Sequence, residues 1–263
     1  MMTNVLRHVV RLGLYAFPVV VSFMLYLPIV VLVIYSFTNS RFPVYPVREW
    51  SFRWYKQIPQ DDVLINAVGN SLMIGALAAA TATVLGLLGA YGLIRSQFPG
   101  KWIVSGILVF PLAVPLILLG LSLRVYLPEV GVPPGLFAIY LGHLVYMIPL
   151  AVLVCRPRLE RFNWTLEESA YELGASKIRI LLEIIVPWVL PALIGAFLLT
   201  FTFSFDEFII AWLLSRFDVT LPIKIWTDLL MAFTPKVNAI GTVVFLFSLC
   251  LALVAQRFLL RDR

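Results

Sequence analysis

The sequence predicts an all-α membrane protein of six spanning helices with a polar two-helix loop, and three observations lead to that class. Hydrophobic residues fill 61% of the 263 positions and charged ones 13%, about half the charge of an ordinary water-soluble domain, and the mean hydropathy is +0.96. Six apolar runs, at 12–37, 67–94, 102–123, 136–154, 188–214 and 237–259, are each long enough to cross a hydrocarbon core of about 30 Å. One polar stretch, 156–187, interrupts the pattern. The chain 1–263 therefore reads as a single transmembrane domain with no soluble domain attached.

The first run follows Arg7 and Arg11. It is too long for the apolar core of a signal peptide and no small-x-small cleavage site follows, so it is expected to remain as a span. The connection 41–66 carries Tyr45, Trp50, Trp54 and Tyr55, amphipathic rings suited to lying along the membrane surface. The second run opens at Asn70 and Ser71 and carries two stripes at i, i+4 spacing, Gly75, Ala79 and Thr83 beside Ala78, Ala82, Gly86 and Ala90. Small residues in such stripes let helices approach closely in lipid, where dispersion rather than water exclusion drives packing.

Pro18, Pro28, Pro111, Pro115 and Pro149 fall inside expected spans. Each frees a carbonyl that needs another partner, so kinked helices are expected. His143 in the fourth run reads as a packing histidine or, alternatively, as a ligand or proton relay. Cys155 and Cys250 read as buried apolar thiols without a disulfide framework. The stretch 215–236, around Ile225 and Trp226, is expected to form a short helix before the sixth span.

With both termini inside, 12 of the 20 Lys and Arg, Arg95, Lys101, Arg156 and Arg158 among them, fall on the cytoplasmic side and 8 outside. That is the direction of the positive-inside rule. The net charge of +6 then reflects topology within membrane lipid and points to no nucleic-acid partner.

Within the polar stretch, Thr165 and Glu168 have the S/T-x-x-E spacing of a capping box, which predicts a helix from about Leu166. Gly174 stands where a left-handed residue would end it, and Ser176 is placed to cap a second helix that runs to Pro187. The product is a helix, a glycine elbow and another helix. This arrangement resembles the EAA motif of bacterial ABC importer permeases, E-A-A-x-x-x-G, a spacer and I-x-L-P. Glu168, Ala170, Gly174, Ile184 and Pro187 match in register, with Ser169 for the second alanine and Val186 for the leucine. The resemblance implies a type I ABC importer permease fold, in which the loop projects into the cytoplasm and docks on a separate ATPase.

The fifth run contains Asp206 and Glu207 before Phe208, with no cation nearby in sequence. Charge at such depth costs a few kcal/mol, so acids there face a bundle interior or a wet cavity. Adjacent helical positions diverge by about 100°, so the two acids point different ways. Either lines a transport path or pairs structurally. The run Leu198 to Phe208, Asn70-Ser71-Leu72 and the Pro235-x-Val237-Asn238-Ala239 start of the last span resemble spermidine/putrescine-type permeases, in particular the second permease of a polyamine importer. That resemblance implies a translocation path for a small organic solute past Asp206, Glu207 and Phe208.

No G-x-x-x-x-G-K-[ST] loop occurs; Pro99-Gly100-Lys101 lacks the earlier glycine and the following hydroxyl. No cofactor is expected in this chain, ATP and Mg being bound by the partner ATPase. The resemblance further implies two ATPase copies, a second permease forming a heterodimer, an extracytoplasmic solute-binding protein and a bacterial inner-membrane location. Two other readings remain at this stage: a self-sufficient secondary carrier with Asp206 or Glu207 as ion ligand, and an ABC permease for a solute other than a polyamine. An intramembrane enzyme has no H-E-x-x-H, aspartate dyad or activated nucleophile to stand on.

Overall fold

The computed structural model describes residues 2–42, 44, 46–231 and 234–260, with side chains between Leu14 and Arg257. Tyr45 and the side chains of Arg7, Arg11, Arg261 and Arg263 lie outside the described residues. The chain gathers into two compact units, Met1–Asp61 with Thr227–Leu246, and Asp62–Trp226 with Phe247–Arg263.

In the first unit, α1 (Met2–Ser36) contains Pro18 and Pro28, and its Leu14–Ser36 portion is long and apolar enough to span a membrane. The connection that follows folds back on its end. Trp54, 5% exposed, donates from Nε1 to the Thr38 carbonyl at 2.7 Å, and Tyr55 Oη lies 2.7 Å from Ser36 Oγ. These bonds satisfy the polar tips of two aromatic rings, and the body of Tyr55 packs with Phe37 and Phe52. Trp50 stays exposed. The short α2 (Arg53–Gln57) carries this cluster, and Lys236 pairs with Asp61 at 2.6 Å.

The second unit is built on α3 (Asp62–Arg95), which has no proline along its 34 residues. Both small-residue stripes are buried. A methyl group at Gly86 would sit 2.5 Å from Ala151 Cβ and 3.0 Å from the Ala151 and Val152 backbone, and one at Gly75 would sit 3.2 Å from the Phe201 ring. Glycine is therefore required at 86 by close approach of a neighbouring backbone. Gly86→Val is expected to destabilise the purified chain by about 1–3 kcal/mol through overpacking, seen as a lower thermal midpoint in detergent; an unchanged midpoint would contradict this contact.

The third expected span, 102–123, is not one helix. α4 (Lys101–Val109) passes into a 3-10 turn over Phe110–Ala113, and α5 (Leu116–Glu129) leaves at 102° to that direction. Pro115 forces its predecessor out of the helical region, and Val114 is extended at φ −83° and ψ 129°. α6 (Leu136–Glu160) accommodates Pro149 without a break. Cys155 on it is buried as expected, whereas Cys250 is exposed.

The loop helix α7 (Thr165–Glu172) and α8 (Lys177–Ile180) follow. α8 does not stop at Pro187. It continues through one turn of π-helix, Leu181–Ile185, into α9 (Val186–Asp206). Proline is tolerated there because the π-helical turn before it has already interrupted the regular hydrogen-bond ladder. The fifth span is accordingly Lys177–Asp206, displaced from the expected 188–214. After a break at Glu207 and Phe208 the chain resumes as α10 (Ile209–Leu214), then α11 (Leu221–Met231) as expected for 215–236, and α12 (Pro235–Leu260). Asn70 Nδ2 donates to the Val219 carbonyl at 3.0 Å and Ser71 Oγ accepts from the Leu221 N–H at 2.9 Å, which fixes the start of α11 against α3. Among the described residues five helices can span alone, six if the bent α4–α5 pair crosses as one.

Candidate functional site: the glycine elbow and the broken fifth span

Gly174 adopts φ +86°. Its N–H donates to the Tyr171 carbonyl at 2.9 Å and the Ala175 N–H to the Ala170 carbonyl at 3.0 Å, the paired bonds of a Schellman ending. Ala170 thus supplies the acceptor that closes the elbow, and its small side chain packs with Ile184 on a buried cluster containing Ala151, Cys155, Ile180 and Ile185. Ser176 Oγ accepts from the Arg179 N–H at 3.3 Å, capping α8 as its position predicts. Pro187 lies exposed at the start of α9. Leu173 and Ile178 on either side of the elbow are 89% and 71% exposed.

The capping box is not formed. Asn163, two residues ahead of Thr165, takes the capping role by accepting from the Thr165 N–H through Oδ1 at 3.2 Å, so the helix starts at Thr165. Glu168 instead faces Arg95, its Oε1 3.5 Å from Nη2. The neighbouring Glu167 is 2% exposed: Tyr91 Oη donates to its Oε1 at 3.0 Å, and Oε2 lies 3.0 Å from Arg95 Nε. That second approach is a charge pair rather than an aligned hydrogen bond.

At the break after α9 the two acids separate. Glu207 is buried; its Oε1 accepts from the Ile210 N–H and its Oε2 from the Ala211 N–H, both at 2.9 Å. These are donors that the start of α10 cannot satisfy internally. Oε2 also lies 3.3 Å from His143 Nε2, without hydrogen-bond alignment, while His143 Nδ1 is 2.6 Å from Ser204 Oγ. His143 is therefore satisfied at Nδ1 by Ser204, while its Nε2 faces the acid without a formed hydrogen bond. Asp206 is exposed, accepts from Ser248 Oγ at 3.1 Å and lines a cavity of about 570 Å³ with Tyr146, Thr202, Phe203 and Phe208. Glu207 borders the same cavity. Phe208 stacks on Trp212 at 6.1 Å and meets Trp226 at 5.5 Å.

The chain is similar to known proteins along most of its length. Residues 82–261 match the family described as binding-protein-dependent transport system inner membrane component. The chain belongs to that family. It is 35% identical over 242 residues to the spermidine/putrescine transport system permease protein PotC of Haemophilus influenzae, across 92% of this chain and 94% of that protein. It is likewise 35% identical over 228 residues to the putrescine transport system permease protein PotI of Escherichia coli, across 84% and 81%. Among solved structures it is similar to a chain of a bacterial ABC transporter involved in the import of the acidic polysaccharide alginate, with a TM-score of 0.73 over 98% of both chains at 18% identity. It is also similar to a chain of the inward-facing MetNI methionine ABC transporter, with a TM-score of 0.64 over 76% of this chain and 96% of that one.

The fold is that of a type I ABC importer permease, the permease is a multi-pass inner-membrane component, and it is a transport subunit rather than an enzyme. Of the residues singled out in its sequence, Ala170, Gly174 and Ile184 come together at the elbow, and Asp206, Glu207 and Phe208 at the broken span. Sequence reasoning missed Tyr91, Arg95 and Glu167. The divergence of adjacent helical positions, applied to Asp206 and Glu207, applies equally to Glu167 and Glu168 and marks one of them as inward-facing.

Proposed function

We propose that this permease forms half of the translocation path of an ATP-driven importer for a polyamine, delivered by an extracytoplasmic binding protein. Its termini and the 156–187 loop face the cytoplasm. The elbow at Gly174, with Glu168, Ala170, Ile184 and Pro187, docks on one of two ATPase copies, which bind the ATP and Mg. A second, different permease completes the path. The observation that carries the solute class is Asp206 at the helix break, its carboxylate facing a cavity walled by the rings of Tyr146, Phe203 and Phe208. A flexible polycation suits such a wall, because carboxylates pair with ammonium groups and aromatic faces attract them. The names of the relatives agree with that class.

In proteoliposomes carrying the complete importer, Asp206→Asn is expected to lower spermidine or putrescine uptake at least ten-fold, about 1.4 kcal/mol, while solute affinity of the binding protein and ATPase recruitment stay unchanged. Uptake with unchanged rate and half-saturation would remove Asp206 from the path. Wild-type uptake of a neutral or anionic solute in place of either polyamine would remove the polyamine assignment.

A further inference from the structure

Two routes connect the elbow to the spans, and they differ in stiffness. The covalent route runs from α8 into α9 through a π-helical turn, Leu181–Ile185, with Pro187 two residues beyond it and then Pro191. Such turns and prolines weaken the hydrogen-bond ladder where helices bend. The other route is non-covalent. It leads from α7 through Glu167 to the last turn of α3, a helix of 34 residues with no proline, about 50 Å long at 1.5 Å per residue. Arg95 also lies over the Trp164 ring at 5.7 Å, and Tyr91 packs on the same ring at 6.1 Å, so the anchoring end is clasped from two sides. Further along α3, Gly75 touches Phe201, little more than one turn before Asp206. A displacement of α7 delivered to α3 therefore reaches the helix that ends at the cavity.

Resting on the permease reading above, we propose that Glu167 is a positioning residue for energy coupling: its buried carboxylate, held by Arg95 and Tyr91, makes movement of the loop become movement of α3. A buried charge with two partners resists separation, because pulling either partner away leaves the carboxylate uncompensated. Glu168, by contrast, meets the same Arg95 only at the surface, at 3.5 Å, and presents the rest of its carboxylate to the docking face.

The test is the complete importer in proteoliposomes, measuring ATP hydrolysis and solute uptake together for wild type, Glu167→Gln, Glu167→Asp and Tyr91→Phe. Glu167→Gln keeps the shape and removes the charge. It is expected to keep the ATPase bound and hydrolysis within about two-fold of wild type, while ATP consumed per solute rises about ten-fold. Glu167→Asp, which retains the charge on a shorter arm, should recover part of that loss, and Tyr91→Phe should shift the ratio in the same direction by less. An unchanged ratio in Glu167→Gln overturns the proposal, as does a parallel fall of both activities with loss of the ATPase, which marks a structural role. A wild-type chain that recruits no ATPase overturns the permease reading instead.

Discussion

Glu207→Ala is expected to destabilise the permease by about 2–6 kcal/mol, the cost of leaving two buried backbone donors without an acceptor. The carboxylate accepts two backbone N–H groups of α10 and lies against His143, and alanine leaves both backbone donors without their acceptor. Each unsatisfied buried donor costs about 1–3 kcal/mol, and the two together give that range. The loss should appear as poor recovery from membranes and a thermal midpoint many degrees lower. Glu207→Gln, which retains one carbonyl oxygen but turns an NH2 toward the second backbone donor, should lie between. Asp206→Asn should leave the midpoint nearly unchanged, since Asp206 is exposed and has one hydroxyl partner. The contrast separates structure from transport: a stable Glu207→Ala permease that fails only in uptake would place Glu207 in the path with its neighbour.

Gly174→Val is expected to abolish coupled transport nearly completely while the chain still inserts and folds its spans. At φ +86° a β-branched residue meets its own backbone, a strain of about 1–2 kcal/mol, and the elbow relieves it by opening. Nothing lies within 4 Å of the position a methyl group would take at Gly174, so the effect is one of backbone conformation and not of crowding. Aspartate tolerates left-handed backbone better than most residues, and Gly174→Asp should be the milder variant. Uptake and hydrolysis of the reconstituted importer decide the matter; wild-type uptake in Gly174→Val would show that the elbow carries nothing.

The local devices of the loop were legible because their signals are local. Gly174 and Ser176 need only the geometry of a helix end, and the stripes of α3 need only a helical period. The capping box misled for a related reason: Asn163 competes for the same helix start and wins from two residues upstream. The break at Glu207 contains neither proline nor glycine, and its stabilising bonds come from the acid reaching forward to Ile210 and Ala211. Nothing in a hydrophobic run announces that. The link from Arg95 to Glu167 joins distant parts of the chain, and His143 found its acid across two helices; neither has a spacing rule. The 102° bend was foreshadowed by Pro111 and Pro115 only as a kink, since its size depends on Val114 being driven fully extended.

The interruption of the fifth span also has an electrostatic sense of direction. A helix leaves its last four carbonyls without internal donors and carries roughly half a negative charge at that end, while the next helix begins with the opposite sign. Here the positive start of α10 is already answered by Glu207, whereas the end of α9 opens beside the cavity at Thr202, Phe203 and Asp206. Part of the negative field at the cavity therefore belongs to the main chain. A preference for cations would then survive, weakened, in a neutral side-chain variant at 206, and a change that lets α9 run on unbroken would erase the main-chain part of it.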